Sequence, residues 1–216
     1  MAQIFPKWAN EVPKRILLGL IIFATATVAG VWYYFSPEYT DVGYAPEQPI
    51  EYSHKLHAGK LDIDCQYCHT NVFKSKHANV PATQTCMNCH NQIDSKKPDE
   101  VAKIRDSWKS GDPIEWTRVH NLPDYAYFNH AAHVNVGVGC ETCHGRIDRM
   151  EVVFQKEPLS MSWCLDCHRN PEQYVRPVEE VTTMGYEPDT SQAKLGQELV
   201  AKHNIAPPTY CQGCHY

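Results

Sequence analysis

The sequence predicts a mainly α-helical and irregular chain, with one N-terminal transmembrane helix and an interior organised around bound groups rather than around a sheet. Two observations carry this expectation: an uncharged apolar run near the N-terminus, and five Cys-x-x-Cys-His motifs that together use all ten cysteines. Fifteen prolines among 216 residues favour short elements and many turns. The formal net charge of −5, without a run of basic residues, argues against a nucleic-acid-binding surface.

The apolar run covers residues 16–35 and contains no charged side chain. At about 1.5 Å of rise per helical residue, this length crosses the roughly 30 Å hydrocarbon core of a bilayer. The basic residues before it are Lys7, Lys14 and Arg15, and the next one along the chain is Lys55. Because basic residues favour the cytoplasmic side, we expect residues 1–15 in the cytoplasm and the rest of a single-pass protein on the periplasmic side of the inner membrane.

A cleaved signal peptide is the alternative interpretation of this run, since small residues follow its first half. The run continues through the aromatic residues 32–35, beyond any such cleavage site, which favours a retained anchor. Both interpretations place the cysteine motifs outside the cytoplasm. Residues 36–50 contain prolines and acidic side chains, and we expect them to link the anchor to a domain over residues 51–216.

The five motifs are typical attachment sites for c-type haem, in which two thiols add to the vinyl groups and the following histidine ligates the iron. The cysteine pairs are Cys65 and Cys68, Cys86 and Cys89, Cys140 and Cys143, Cys164 and Cys167, and Cys211 and Cys214. The histidines that follow them are His69, His90, His144, His168 and His215. We number these the first to fifth sites in chain order. The sequence therefore predicts five covalently attached haem c groups, which would fill most of the interior.

Zinc is the main alternative, because 17 residues separate Cys68 from Cys86 and 20 separate Cys143 from Cys164, both compatible with a zinc ribbon. A ribbon needs no histidine directly after each pair, whereas here all five pairs have one. A disulfide framework would suit the compartment but also leaves these histidines unexplained.

Two further histidine pairs predict the ligands on the other side of the irons. His54 and His57 lie about ten residues before the first site, and His130 and His133 lie about ten residues before the third. At i, i+3 on a helix the two rings of a pair leave one face. One can therefore close the iron of its own site, while the other reaches a neighbouring haem.

This recurrence divides the haem domain into a duplicated two-haem unit and a tail. We expect a first two-haem module over residues 52–90, a connector over 91–127, a second module over 128–168 and a C-terminal haem segment over 169–216.

A fifth distal ligand must come from elsewhere in the chain. His120, just before the second module, is the first candidate, and Met150 is the best sulfur candidate. His77 and His203 are more readily explained as incidental. The choice matters because a His/Met haem has a higher reduction potential than a bis-histidine haem.

Two segments carry helical patterns outside the motifs, residues 99–111 and residues 190–204. In the second, Thr190 or Ser191 could cap the helix. Its apolar residues Ala193, Leu195, Leu199 and Val200 could face haem edges.

The histidine pairs and motifs resemble multihaem cytochromes of the class III, cytochrome c7 type. With the anchor, the five motifs, RVHNLPDYAYFNHAAH and PLSMSWCLDCHRNPEQYVRP, the whole chain resembles the pentahaem cytochrome c subunit of alternative complex III. The resemblance implies a menaquinol-oxidising respiratory complex with iron–sulfur and polytopic membrane subunits. It also implies a monohaem cytochrome or terminal oxidase as acceptor, and a quinol site on other subunits.

The function predicted is electron transfer through a chain of haems, with no catalytic residue on this chain. A free-standing, membrane-anchored quinol dehydrogenase is one alternative, because such proteins are also anchored multihaem cytochromes. A haem enzyme such as a nitrite reductase is another, but it needs a five-coordinate iron, and the pentahaem nitrite reductases use a Cys-x-x-Cys-Lys motif that this sequence lacks.

Overall fold

A computed structural model of the chain describes residues 4–216. It separates into two compact units, one ending at Val42 and the other covering Gly43–Tyr216. The division between them falls inside the segment expected to be a linker.

The first unit is built on one long helix, α1 (Val12–Tyr34), preceded by a 3-10 helix at Lys7–Asn10 and followed by a short helix, α2 (Pro37–Thr40). Pro13 lies in the first turn of α1, where its missing N–H leaves no hydrogen bond unmade. None of the residues of α1 is buried within the chain. The predicted helix over residues 16–35 is confirmed, and its length and composition suit a membrane span or a signal sequence.

The second unit consists of short helices joined by irregular segments. After a π-helix at Lys55–Lys60, its α-helices are α3 (Cys65–Cys68), α4 (Thr83–His90), α5 (Pro98–Ser110), α6 (His130–Val134), α7 (Cys140–His144), α8 (Met161–Arg169) and α9 (Gln192–His203). Its 3-10 helices are Ile147–Arg149, Pro171–Gln173, Val178–Glu180 and Cys211–Gly213. Across the described residues the β pairing is limited to one isolated bridge, between Val138 and Val175. The predicted mainly helical and irregular class is confirmed.

Both helices predicted outside the motifs are present, as α5 and α9. Helix α5 ends at Ser110 and is followed by Gly111, whose φ of 82° is the left-handed conformation that stops a helix without a side-chain clash. Ser191 occupies the cap position of α9 as predicted, but its side chain makes no capping hydrogen bond.

The aliphatic core is small. One cluster contains Val72, Val134 and Val181, and another contains Val138, Val175 and Leu199. Leu195 and Val200 pack on the second cluster, and Ala193 is exposed. Leu195, Leu199 and Val200 therefore pack towards Val138 and Val175, and their predicted contact with haem edges stays a prediction. With so few buried aliphatic residues, the second unit needs other apolar groups to fill its interior.

Glycines allow the closest chain crossings in this unit. A side chain at Gly59, in the π-helix, would overlap the carbonyl of Asp148 in the Ile147–Arg149 turn. A side chain at Gly196 would overlap the carbonyl of Glu172, at the crossing of α9 with the Pro171–Gln173 turn. These two contacts fix how distant parts of the chain meet around the motifs.

Candidate haem sites

Each of the five motifs lies on a helical turn. The first four lie on α3, α4, α7 and α8, and the fifth begins on the 3-10 helix Cys211–Gly213. Residues three apart on a helix lie on one face, so the two cysteines of a motif point to the same side. None of the ten cysteines, all in the described part of the chain, forms a disulfide. Two cysteines on one side of a helical turn suit two thioether bonds to one group.

The motif histidines have a common orientation that leaves one ring nitrogen available. At four sites the Nδ1 lies within hydrogen-bond distance of a backbone carbonyl and must donate its proton there. The acceptors are Asn79 for His69 at 2.6 Å, Ile93 for His90 at 2.9 Å, Pro208 for His168 at 2.7 Å and Tyr125 for His215 at 2.7 Å. Donation from Nδ1 fixes the tautomer and leaves Nε2 as the metal-binding atom, as in protein sites where histidine ligates a metal.

The third site departs from this pattern. The Nδ1 of His144 lies 3.3 Å from the Nε2 of His120, and their ring centroids are 4.3 Å apart. Burial, the largest cause, lowers the pKa of His144 to about 3, so its ring is neutral at pH 7. A neutral imidazole is the form that binds iron. The structure thus brings the predicted ligand His120 to the third site. There it lies next to the Nδ1 of His144, the atom that donates to a backbone carbonyl at the other four sites.

Three of the four paired histidines show the same Nδ1 arrangement. The acceptors are the carbonyls of Ser53 for His57 at 2.9 Å, Lys76 for His130 at 2.8 Å and Asn129 for His133 at 2.7 Å. The fourth, His54, has a buried Nδ1 without a hydrogen-bond partner among the described residues. Desolvation lowers the pKa of His54 to about 4, so this ring is also neutral at pH 7.

Three of the paired histidines lie about 6 Å, ring to ring, from a motif histidine. Ring centroids are 6.2 Å apart for His57 and His90, 6.0 Å for His133 and His168, and 6.4 Å for His130 and His144. Two imidazoles on opposite sides of one metal ion are separated by about 6 Å, from two metal–nitrogen bonds of about 2 Å plus about 1 Å from each nitrogen to its ring centre. All three separations match this value.

The remaining candidates are placed differently. Met150 is buried, and its carbonyl accepts a hydrogen bond from the backbone N–H of Lys55 at 3.0 Å. His77 and His203 are exposed. The roles predicted for His120 and Met150 as a sixth ligand stay predictions.

Two aromatic residues next to the histidine pairs were missed by the sequence analysis. Tyr52 contacts the rings of both His54 and His57, and Phe128 contacts the rings of both His130 and His133. The signal was present, because an aromatic residue stands two positions before each pair, in YSHKLH and in FNHAAH. The carbonyl acceptors were also missed, and backbone groups leave no such signal.

The geometry fits haem better than zinc. A closed structural zinc site needs four converging donors. Within residues 4–216 no group of three or more His, Cys, Asp or Glu side chains comes together as a metal site. Instead, each motif presents two thiols and one imidazole, and three of the imidazoles lie at the ring separation from a second one that is expected across a bound metal.

Comparisons with known proteins point the same way. Residues 50–107 match the family model described as cytochrome c7 and related cytochrome c, and residues 132–216 match the model described as cytochrome c3. The chain is also 28% identical over 175 residues to a protein of Nitratidesulfovibrio vulgaris named menaquinone reductase, multiheme cytochrome c subunit. That alignment covers 71% of this chain and 79% of the relative.

The fold and sites define a multihaem cytochrome c that transfers electrons and binds c-type haem covalently. Its haem domains are of the cytochrome c3 and c7 type, with the first and second sites in the c7-like segment and the last three in the c3-like segment.

Proposed function

We propose that this chain carries electrons through five covalently bound haems as the membrane-anchored cytochrome subunit of a menaquinol-oxidising respiratory complex. One observation carries the proposal. The rings of His57, His130 and His133 each lie at the separation of a bis-histidine metal site from the ring of a motif histidine. With both axial positions taken by protein, such an iron has no open position for a substrate. Its role is then to accept and pass electrons, at a potential set by its ligands and surroundings.

The pairs support a specific ligand assignment. His57 serves the second site opposite His90, and His133 serves the fourth site opposite His168. In each module, the second histidine of the pair therefore serves the second motif of that module. His130 serves the third site opposite His144.

The first site takes His54 opposite His69. The two rings are close enough for a charge on one to disfavour a charge on the other. The buried Nδ1 of His54, which lacks a hydrogen-bond partner among the described residues, is consistent with a ring placed by the haem it binds.

Contacts between motifs support an order of sites that differs from the order in the chain. Tyr67 and Asn88, from the first and second motifs, are joined by a 2.9 Å hydrogen bond from the Asn88 amide to the Tyr67 hydroxyl. The thiols of Cys68 and Cys86 also lie near each other. The second site is therefore the neighbour of the first.

The first and third sites meet across the two modules. The side chains of Cys65 and Cys140 lie within reach of each other. The segment at Val181 and Thr182 contacts both motifs. The Cys140 N–H donates to the Val181 carbonyl at 3.0 Å, and the Thr182 hydroxyl donates at 3.0 Å to Asp64, the residue before Cys65.

The last three sites follow in chain order. Helix α6 carries both His130 and His133, so it joins the third site to the fourth. The fourth site is joined to the fifth through the Pro208 carbonyl, which holds His168 and lies three residues before Cys211. The resulting order is second, first, third, fourth, fifth, with the second and fifth sites at the ends, where the chain would exchange electrons with its partners.

The membrane complex is proposed from the relative and from the anchor. The relative's name describes a cytochrome subunit of a menaquinone reductase, and the sequence resembles the pentahaem subunit of alternative complex III. We propose that α1 is a retained single-pass anchor in the inner membrane, with the haem domain on the periplasmic side. Iron–sulfur and polytopic subunits would supply electrons, and a monohaem cytochrome or terminal oxidase would accept them.

Mild detergent extraction of the tagged full chain tests this proposal. We expect a large iron–sulfur protein and polytopic membrane proteins to co-purify, and menaquinol to reduce the haems of the complex. The purified single chain should bind five haems and remain unreduced by menaquinol. A lone chain that oxidises menaquinol would instead establish a free-standing quinol dehydrogenase.

A further inference from the structure

We propose that Tyr52 and Phe128 are positioning residues, each of which sets the orientation of two axial histidines that serve two different haems. This inference rests on the proposed ligation by the two histidine pairs. It assigns a role to an aromatic residue that binds neither iron nor substrate.

The two aromatic residues make nearly the same contacts in the two modules. The Tyr52 ring lies edge-on to His54, with centroids 4.8 Å apart at 86°, and stacks on His57 at 4.5 Å and 21°. The Phe128 ring lies edge-on to His130 at 4.8 Å and 85°, and stacks on His133 at 4.5 Å and 29°. The contacts recur at two places 76 positions apart in the chain, which is the repeat distance between the two modules. They therefore belong to the module and not to one loop.

The stacked histidine of each pair is held from two directions. Its Nδ1–H donates to the carbonyl of the residue directly after the aromatic, Ser53 for His57 and Asn129 for His133. The aromatic ring covers one face of the same imidazole. The hydrogen bond alone allows the imidazole to rock about the donor–acceptor direction, and the ring stacked on its face limits that motion.

The edge-on histidine depends more heavily on the aromatic in the first module. His130 also donates its Nδ1–H to the Lys76 carbonyl at 2.8 Å, whereas the Nδ1 of His54 has no partner among the described residues. Loss of the Tyr52 ring should therefore disturb two haems strongly. Loss of the Phe128 ring should disturb the haem of His133 more than the haem of His130.

The hydroxyl of Tyr52 is not required for this role, because the corresponding residue in the second module is phenylalanine. This difference supplies a matched pair of conservative variants, Tyr52→Phe and Phe128→Tyr, against the disruptive variants Tyr52→Leu and Phe128→Leu. Trp108 provides a control for the loss of an aromatic side chain elsewhere, since it is half exposed on α5. Trp108→Leu should leave every haem unchanged.

Low-spin EPR spectra of the haem-loaded full chain report the orientation of axial imidazoles haem by haem. We expect Tyr52→Leu to shift the g values of two haems and leave three unchanged, and Phe128→Leu to shift those of one or two others. Carbon monoxide should displace the loosened ligands from the reduced protein about tenfold faster than in the wild type, since an aromatic contact contributes up to about 1.5 kcal/mol. Tyr52→Phe and Phe128→Tyr should each keep the wild-type spectrum.

The inference would be overturned if the leucine variants lowered the melting temperature while leaving every g value and the carbon monoxide rate unchanged, since the rings would then only pack. It would also be overturned if Tyr52→Leu and Phe128→Leu altered the same haems. Neither result would touch the proposed function, whose failure would instead appear in the wild type as fewer than five haems or as haems without histidine ligands.

Discussion

Replacing His57 with alanine should convert one haem in five to the high-spin state. The His57 and His90 rings lie 6.2 Å apart, and an alanine methyl group cannot reach across that gap to the iron. With five motifs in the chain, the expected change is one fifth of the total haem. His54→Ala should convert a different fifth, and the double variant two fifths, because the two histidines serve different sites.

The assay is spin-quantified EPR on the oxidised full chain, with the haem content of each variant measured first by intact mass. His57→Met is the matched variant: it should restore a low-spin haem with a raised reduction potential, because thioether ligation favours the reduced iron. If His54→Ala and His57→Ala abolish the same low-spin signal, and the double variant converts only one fifth of the haem, the assignment of the two histidines to different sites is wrong.

Three further substitutions test the crossings and supports around the sites. Gly196→Ala should lower the free energy of unfolding by about 1–3 kcal/mol in thermal melts, because its methyl group would overlap a carbonyl of the neighbouring turn. His120→Ala should shift the reduction potential of the haem held by His144, since His120 contacts the Nδ1 of His144. Asp148→Asn should remove about 1 kcal/mol of stability at pH 7. The hydrogen bond from Arg146 lowers the pKa of Asp148 below its ordinary 3.8, so its contribution is present above pH 4 and is lost as the pH falls further, as melts at pH 3 and 7 would show.

Each of these substitutions has a control and an opposing outcome. Gly30→Ala meets no atom within 4 Å and should leave the stability of the haem domain unchanged. A new high-spin haem in Met150→Leu would identify Met150 as the sulfur ligand that the sequence allowed, and an unchanged spectrum would leave Met150 as part of the buried core. A high-spin haem in His120→Ala would likewise make His120 an axial ligand. An Asp148→Asn variant as stable as the wild type at pH 7 would refute the ion pair's contribution.

The sequence predicted the parts of the sites that depend on local spacing. A cysteine pair and its histidine span five residues, and a histidine pair spans one helical turn, so Cys65, His69, His54 and His57 could all be found without a structure. The helices α5 and α9 were also predictable, because caps and apolar spacing are local signals. The mainly helical and irregular class followed from the apolar run at residues 16–35 and from the five motifs.

What the sequence left open depends on where the chain crosses itself. His57 and His90 lie close together although they are 33 positions apart in the chain. Cys65 and Cys140 come together through the segment around Thr182. The apolar side of α9 was recognised, but nothing local shows that Leu199 meets Val138 and Val175. The position of Tyr52 before the histidine pair can be seen in the sequence. Its contact with both histidines can be seen only in the structure.

A cryo-EM structure of the haem-loaded complex, extracted in mild detergent, would test the central proposal most directly. We expect five irons arranged as one unbranched path in the order second, first, third, fourth, fifth, with His57 opposite His90 and His133 opposite His168. A path in which the second site adjoins the third, or in which His57 lies opposite His69, would contradict the account.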